Sequence, residues 1–180
     1  MMLFHYAPCS RLTDIVNSGH LRPSNVGAPS EKPLLWFSTN QQWEPTATKV
    51  LNTPNGLKAL SFQEQACQFG CIRFGNDEAN MRLMPWKQAC DSGGIRRDAR
   101  RAMVLYGHKR GAKPDQWFAV RTTVPLADLT FEIWSCSRWN RAEPKDIATE
   151  VLGCNGWQSR QPNYGTSCDI NVREHDVVAQ

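Results

Sequence analysis

The chain has 180 residues and a mass of 20.4 kDa, with 21 Lys and Arg against 17 Asp and Glu, a formal net charge of +4. That length fits one domain over residues 1–180, and a chain of this size buries about two thirds of its unfolded surface without metal or disulfide support. A hydrophobic share of 41% with 21% charged residues excludes a disordered chain, and no apolar run approaches the roughly 18 residues of a membrane span. Seven Cys, an odd number, and no N-terminal signal segment predict reduced thiols, a cytoplasmic protein and no membrane partner.

In chain order, the apolar and aromatic run Met2 to Ala7, with one histidine at His5, reads as a strand. A helix follows: Ser10 can cap it, Leu12, Ile15 and Val16 share a face, and Gly19 supplies a left-handed end. Residues Asn25 to Pro33 read as an irregular loop, and the unbroken run Leu34 to Thr39 as a strand buried on both faces. A short helix is expected from Trp43 to Val50, a strand from Gln68 to Phe74, and a turn at Gly75-Asn76-Asp77. Asp98 to Tyr106 has a helical apolar stripe. Trp117 to Val124 and Leu129 to Trp134 carry aromatic and β-branched strand residues; a helix from Asp146 to Leu152 and a strand at Ile170-Asn171-Val172 close the chain. Early strand and helix with mostly strands later predict an α+β fold.

Several chemistries lack their motifs. Cys67 and Cys71 are four apart, but no second Cys pair or His pair at zinc spacing accompanies them, so no metal is expected. No local signature pairs Cys9 with His175 as nucleophile and base, and Glu174-His175 reads as a solvated tail. Neither Gly93-Gly94 nor Gly107 with Gly111 forms a phosphate loop. The basic cluster Arg96-Arg97-Asp98-Ala99-Arg100-Arg101, with Lys109-Arg110 beyond it, can meet phosphates, though a solvated helix face is the plainer reading. Trp43, Trp86 and Trp157 could stack on bases, against the commoner role of tryptophan as core and groove wall.

A longer pattern carries more information. His5 lies on the first strand, a helix ends at Gly19-His20-Leu21, and Leu35-Trp36-Phe37-Ser38 forms an aromatic strand. Later, Asp115-Gln116-Trp117-Phe118-Ala119-Val120 leads to Thr123-Val124-Pro125-Leu126. This order resembles the ADP-ribosyltransferase superfamily of the diphtheria-toxin and poly(ADP-ribose) polymerase class, over about residues 2–50 and 110–135. The resemblance implies split antiparallel sheets with flanking helices and an NAD cleft, NAD as substrate, and a macromolecular acceptor, protein or nucleic acid.

The same resemblance implies NAD contacts at His5, Tyr6, Trp36 and Ser38 and catalysis at Gln116 and Glu132. An imidazole offers one donor and one acceptor to ribose and amide groups, and an indole stacks on a nicotinamide ring. The chain departs from the family's His-Tyr-Glu pattern at two positions, with Trp36 for the tyrosine and Gln116 for the acid. An amide can accept the ribose hydroxyl's hydrogen bond but lacks the charge that steadies an oxocarbenium-like transition state. Glu132 on the following strand and Asp115 beside Gln116 are the carboxylates that could supply it, and strand alternation would put Asp115 and Gln116 on opposite faces. A catalytically silent module binding nucleic acid or protein through the basic face is the alternative. An RNA 2′-phosphate transferase would need an arginine beside the histidine, and His5 has none.

Overall fold

The structure, a computed structural model, describes residues 1–153 and 177–178 apart from 27, 79, 80 and 136. The strand expected at Ile170-Asn171-Val172, together with Trp157, Glu174 and His175, lies outside the described residues.

Strand β1 (Met2–Ala7) passes through a 3-10 turn, Cys9–Arg11, into helix α1 (Leu12–Ser18), then β2 (His20–Leu21) and β3 (Leu35–Ser38). A second 3-10 turn, Pro45–Ala47, precedes the hairpin β4 (Val50–Thr53) and β5 (Gly56–Ala59) and helix α2 (Phe62–Phe69). Next come β6 (Ile72–Asp77), β7 (Met84–Pro85), α3 (Trp86–Gly93) and α4 (Arg97–Lys109). A 3-10 turn at Pro114–Gln116 leads into β8 (Trp117–Val120), β9 (Val124–Pro125), β10 (Thr130–Ser135), β11 (Arg138–Arg141), α5 (Pro144–Gly153) and β12 (Val177–Val178). The fold is mixed α+β with antiparallel sheets: a seven-stranded sheet in the order β11-β10-β6-β1-β3-β8-β7, a three-stranded sheet β12-β4-β5 and the pair β2-β9.

Alternation along the central strands divides the large sheet into two apolar faces. Leu3 and Ala7 of β1, Leu35 and Phe37 of β3, Ile72 and Phe74 of β6 pack with Leu12 of α1 and Ala148 of α5. On the other face Phe4 and Tyr6 meet Trp43 and Ala66, while Trp36 and Ala119 meet Ala89 and Cys90 of α3. Both faces are covered, which explains the unbroken apolar start of β3. The seam between β1 and β3 is thin: one register pair, Phe4↔Ser38, joins them, whereas β1 and β6 pair over six residues.

Several local expectations change. The first helix starts at Leu12 behind the 3-10 turn, so Ser10 lies inside that turn and caps nothing; Gly19 does end the helix at φ 69°. Where a helix was expected at Trp43 to Val50, Glu44 closes a short turn by accepting the Thr46 N–H, and the chain extends from Thr48. Gln68 and Phe69 belong to α2, because Ser61 and Glu64 form a capping box that nucleates a helix through them. Gly75 sits inside β6 rather than in a turn: a Cβ there would lie 2.7 Å from the Phe4 ring and 2.7 Å from Thr130 Oγ1, so only glycine fits between these neighbours.

Candidate functional site

His5 stands at the thin seam. Its Nδ1 lies 2.9 Å from the Trp36 carbonyl, and a carbonyl only accepts, so Nδ1 carries the proton and Nε2 is left as an acceptor. Burial lowers the imidazole below its ordinary 6.5, against the opposing effect of the Trp36 carbonyl. The imidazole lies 6.0 Å from the Phe37 ring, while the Trp36 indole leaves the other face toward Trp86, 5.7 Å away. The two side chains therefore project from opposite faces of the sheet, joined only through the Trp36 carbonyl.

Tyr6, next along β1, faces the Trp43 side. Its hydroxyl donates to the Asn40 carbonyl at 2.5 Å, and burial pushes its phenol up to about 12 while Arg73 pulls the other way. Ser38 donates to Glu44 Oε2 at 2.8 Å, and Glu44 Oε1 accepts from the Thr46 amide at 3.2 Å and hydroxyl at 2.7 Å. Glu44 is 6% exposed. Three donors offset the desolvation of its carboxyl group, which otherwise would not be tolerated at such burial. The sequence signal for Glu44 was Trp-Glu-Pro-Thr, an acid just before a proline-started turn with a hydroxyl two residues on.

Glu132 stands on the Tyr6 side of the sheet, in register with it through Arg73. It pairs with Arg73, whose Nε donates to Oε2 at 2.5 Å and whose Nη1 donates to the Gln41 carbonyl at 2.5 Å. The same guanidinium lies 3.9 Å from the Phe4 ring centroid and 4.4 Å from that of Trp139. Arg73 was missed in the sequence because nothing local distinguishes it; strand pairing Glu132↔Arg73 brings the two together across β6 and β10.

Gln116 and Asp115 lie in the 3-10 turn ahead of β8, not within the strand, because Pro114 starts a turn there; the expected alternation does not apply to them. Asp115 is exposed and Gln116 half-buried. The Gln116 carbonyl accepts the Thr39 amide at 3.0 Å, so Gln116 sits one residue beyond the Ser38–Glu44 contact. Glu132 follows Gln116 closely in sequence, yet β6, β1 and β3 lie between β10 and β8 in the sheet. The structure thus brings the His5 imidazole to the Trp36 carbonyl, and Ser38 and Glu44 to the neighbourhood of Gln116; Glu132 is paired with Arg73 beside Tyr6.

The chain matches no family model, no curated protein and no solved structure. Among the described residues no group of three or more His, Cys, Asp and Glu could hold a metal ion, and no helix is long and apolar enough to cross a membrane. Cys9, Cys71 and Cys90 are buried and unbridged; burial pushes the Cys9 thiol up to about 12, the Cys90 thiol up to about 11, and raises Cys71 further. Thiols so shifted are poor nucleophiles.

The basic cluster is α4 and its approach. Arg96 bonds Asp98 with its Nη2 at 2.6 Å, and Arg100 bonds Asp91 at 2.6 Å and the Ile95 carbonyl at 2.7 Å. The loop expected at Asn25 to Pro33 leans on the same corner, since the Lys32 amide donates to the Gly93 carbonyl at 2.8 Å.

Proposed function

We propose that the chain is an NAD-dependent ADP-ribosyltransferase acting on a macromolecular acceptor, with an NAD cleft at a split in the antiparallel sheet. The observation that carries this reading is the β1–β3 seam, joined by one register pair and held by the His5–Trp36 hydrogen bond. The neutral His5 keeps a bare Nε2 for a ligand hydroxyl or amide on one face of the sheet, and the half-buried Trp36 offers an indole face for a flat ring on the other. In such a transfer the bond from nicotinamide nitrogen to ribose carbon breaks, and an acceptor nucleophile takes that carbon and gives up its proton.

The charge that steadies such a step needs a carboxylate near the Gln116 end of the seam. Glu132 is a poor source, since Arg73 neutralises it and three strands intervene. Glu44 is the better placed acid, reaching Ser38 Oγ while the adjacent Thr39 amide holds Gln116. Its role is electrostatic, because Ser38 and Thr46 occupy its oxygens.

The same facts favour a second reading, a module of this fold that binds without catalysis, in which Gln116 remains an amide and no acid replaces it. Incubation of the full chain with labelled NAD and a cell lysate separates the two. Labelled macromolecule or free nicotinamide is expected for the transferase; neither product, with NAD binding retained in calorimetry, establishes the silent module. Unchanged NAD binding in both His5→Ala and Trp36→Ala would place the pocket elsewhere.

A further inference from the structure

Residues 91–110 carry six Lys and Arg against two Asp, a net +4 that equals the charge of the whole chain. The excess is organised by the helix. Arg97, Arg101, Leu105 and Lys109 recur every fourth residue along α4, so they form one stripe, and all four are exposed. Asp98 and Asp91 are taken by Arg96 and Arg100, which leaves Arg97 and Arg101 with no partner among the described residues. The opposite face of α4 packs Ala99 and Met103 into the cluster that holds Trp36. The stripe therefore lies on the face of α4 turned away from that cluster.

We infer that this stripe binds a single-stranded nucleic acid by its phosphates, and that on the transferase reading this strand is the acceptor. Two unpaired guanidiniums on one helical row suit phosphate oxygens, which they engage through paired N–H donors. Leu105, 52% exposed between Arg101 and Lys109, is an apolar contact set among cations. A duplex keeps its bases stacked inside and offers Leu105 little, whereas an unpaired base or sugar can rest on it. An acidic protein segment would satisfy the charge but gives no such reason for the exposed leucine.

The test is fluorescence anisotropy of the full chain with a labelled single-stranded oligonucleotide of about 20 nucleotides, titrated across salt. Arg97→Ala with Arg101→Ala should weaken binding ~10-fold or more and flatten the salt slope by about 1 to 2. Alanine is a better helix former than arginine, so these exposed replacements keep α4 intact. Arg138→Ala with Arg141→Ala removes the same charge from exposed positions on β11, at the far edge of the sheet, and should leave affinity within about two-fold after the general charge effect.

Equal losses in the two double variants would reduce the stripe to an unspecific field and overturn the inference. So would competition by polyglutamate as strong as by unlabelled oligonucleotide, which would mark an acidic protein partner, and so would a tighter complex with duplex than with single strand. Binding is read without NAD. Oligonucleotide binding that depends on Arg97 and Arg101 in a chain that binds no NAD would sink the transferase reading and sustain this one.

Discussion

The imidazole of His5 donates from Nδ1 to the Trp36 carbonyl at 2.9 Å, so a side chain adds a link between β1 and β3 to the register pair Phe4↔Ser38. This makes His5 a structural link of the sheet as well as the centre of the proposed NAD cleft. The two roles separate experimentally, since one responds to protons in the absence of any ligand.

Because burial lowers the His5 pKa in the folded chain, the unfolded chain takes up its proton first as pH falls. The contribution to stability is whole above 6.5 and is lost as pH falls from there toward the lowered folded value. Urea midpoints between about pH 7.5 and 5 should show stability falling by up to about 1.4 kcal/mol per unit from this group. His5→Asn keeps a donor for the Trp36 carbonyl without titrating, so its profile should be flatter in that window. An identical slope in wild type and His5→Asn would show that another group titrates there.

Arg73 and Glu132 form a pair of unequal burial, the guanidinium 9% and the carboxylate 24% exposed. Glu132→Met leaves Arg73 nearly buried without its counter-charge and should cost about 3 kcal/mol. Adding Arg73→Met removes the orphaned charge, so the double variant should recover part of that loss in urea denaturation. A double variant weaker than Glu132→Met by the full cost of Arg73→Met would mean that the two side chains act independently, with Arg73 held mainly by Phe4, Trp139 and Gln41.

At Gly107 two effects of opposite sign compete. Alanine inside a helix gains about 1 kcal/mol over glycine. Here, however, its Cβ would lie 2.7 Å from Trp117 Cη2 and 2.9 Å from Cζ2 of an indole that is 6% exposed and packed at 4.9 Å against Trp86. Overpacking of this kind costs about 1–3 kcal/mol, so Gly107→Ala should lower the melting temperature by several degrees, as calorimetry would record. A rise instead would mean that α4 shifts freely over β8.

Much of the chain was legible from local chemistry. Gly19 ends α1 because φ 69° suits glycine, and the short apolar and aromatic runs Met2 to Ala7 and Leu35 to Ser38 specify strands wherever they are placed. The capping box at Ser61 and Glu64 was present in the sequence and draws Phe69 into α2, while Ile72 begins β6 beyond Gly70. Gly75 read as a turn because glycine marks both turns and crowded strand positions, and only the neighbours Phe4 and Thr130 distinguish them. Glu44 had a local signal, whereas Arg73 had none.

The sequence by itself determined the types of β1, α1, β3, α4 and β10, the two-face burial of β3, the cationic row on α4 and the presence of His5 on a strand near an aromatic one, because each depends on residues within a few positions of one another. Tertiary structure alone decided which acid stands near Gln116. Glu132 follows it by two strands in the chain, β8 and β9, but lies across β6, β1 and β3 in the sheet, while Glu44 arrives through the hydroxyl of Ser38. Strand order is set by long-range pairing and by which apolar faces can be covered together, and no local pattern carries that information.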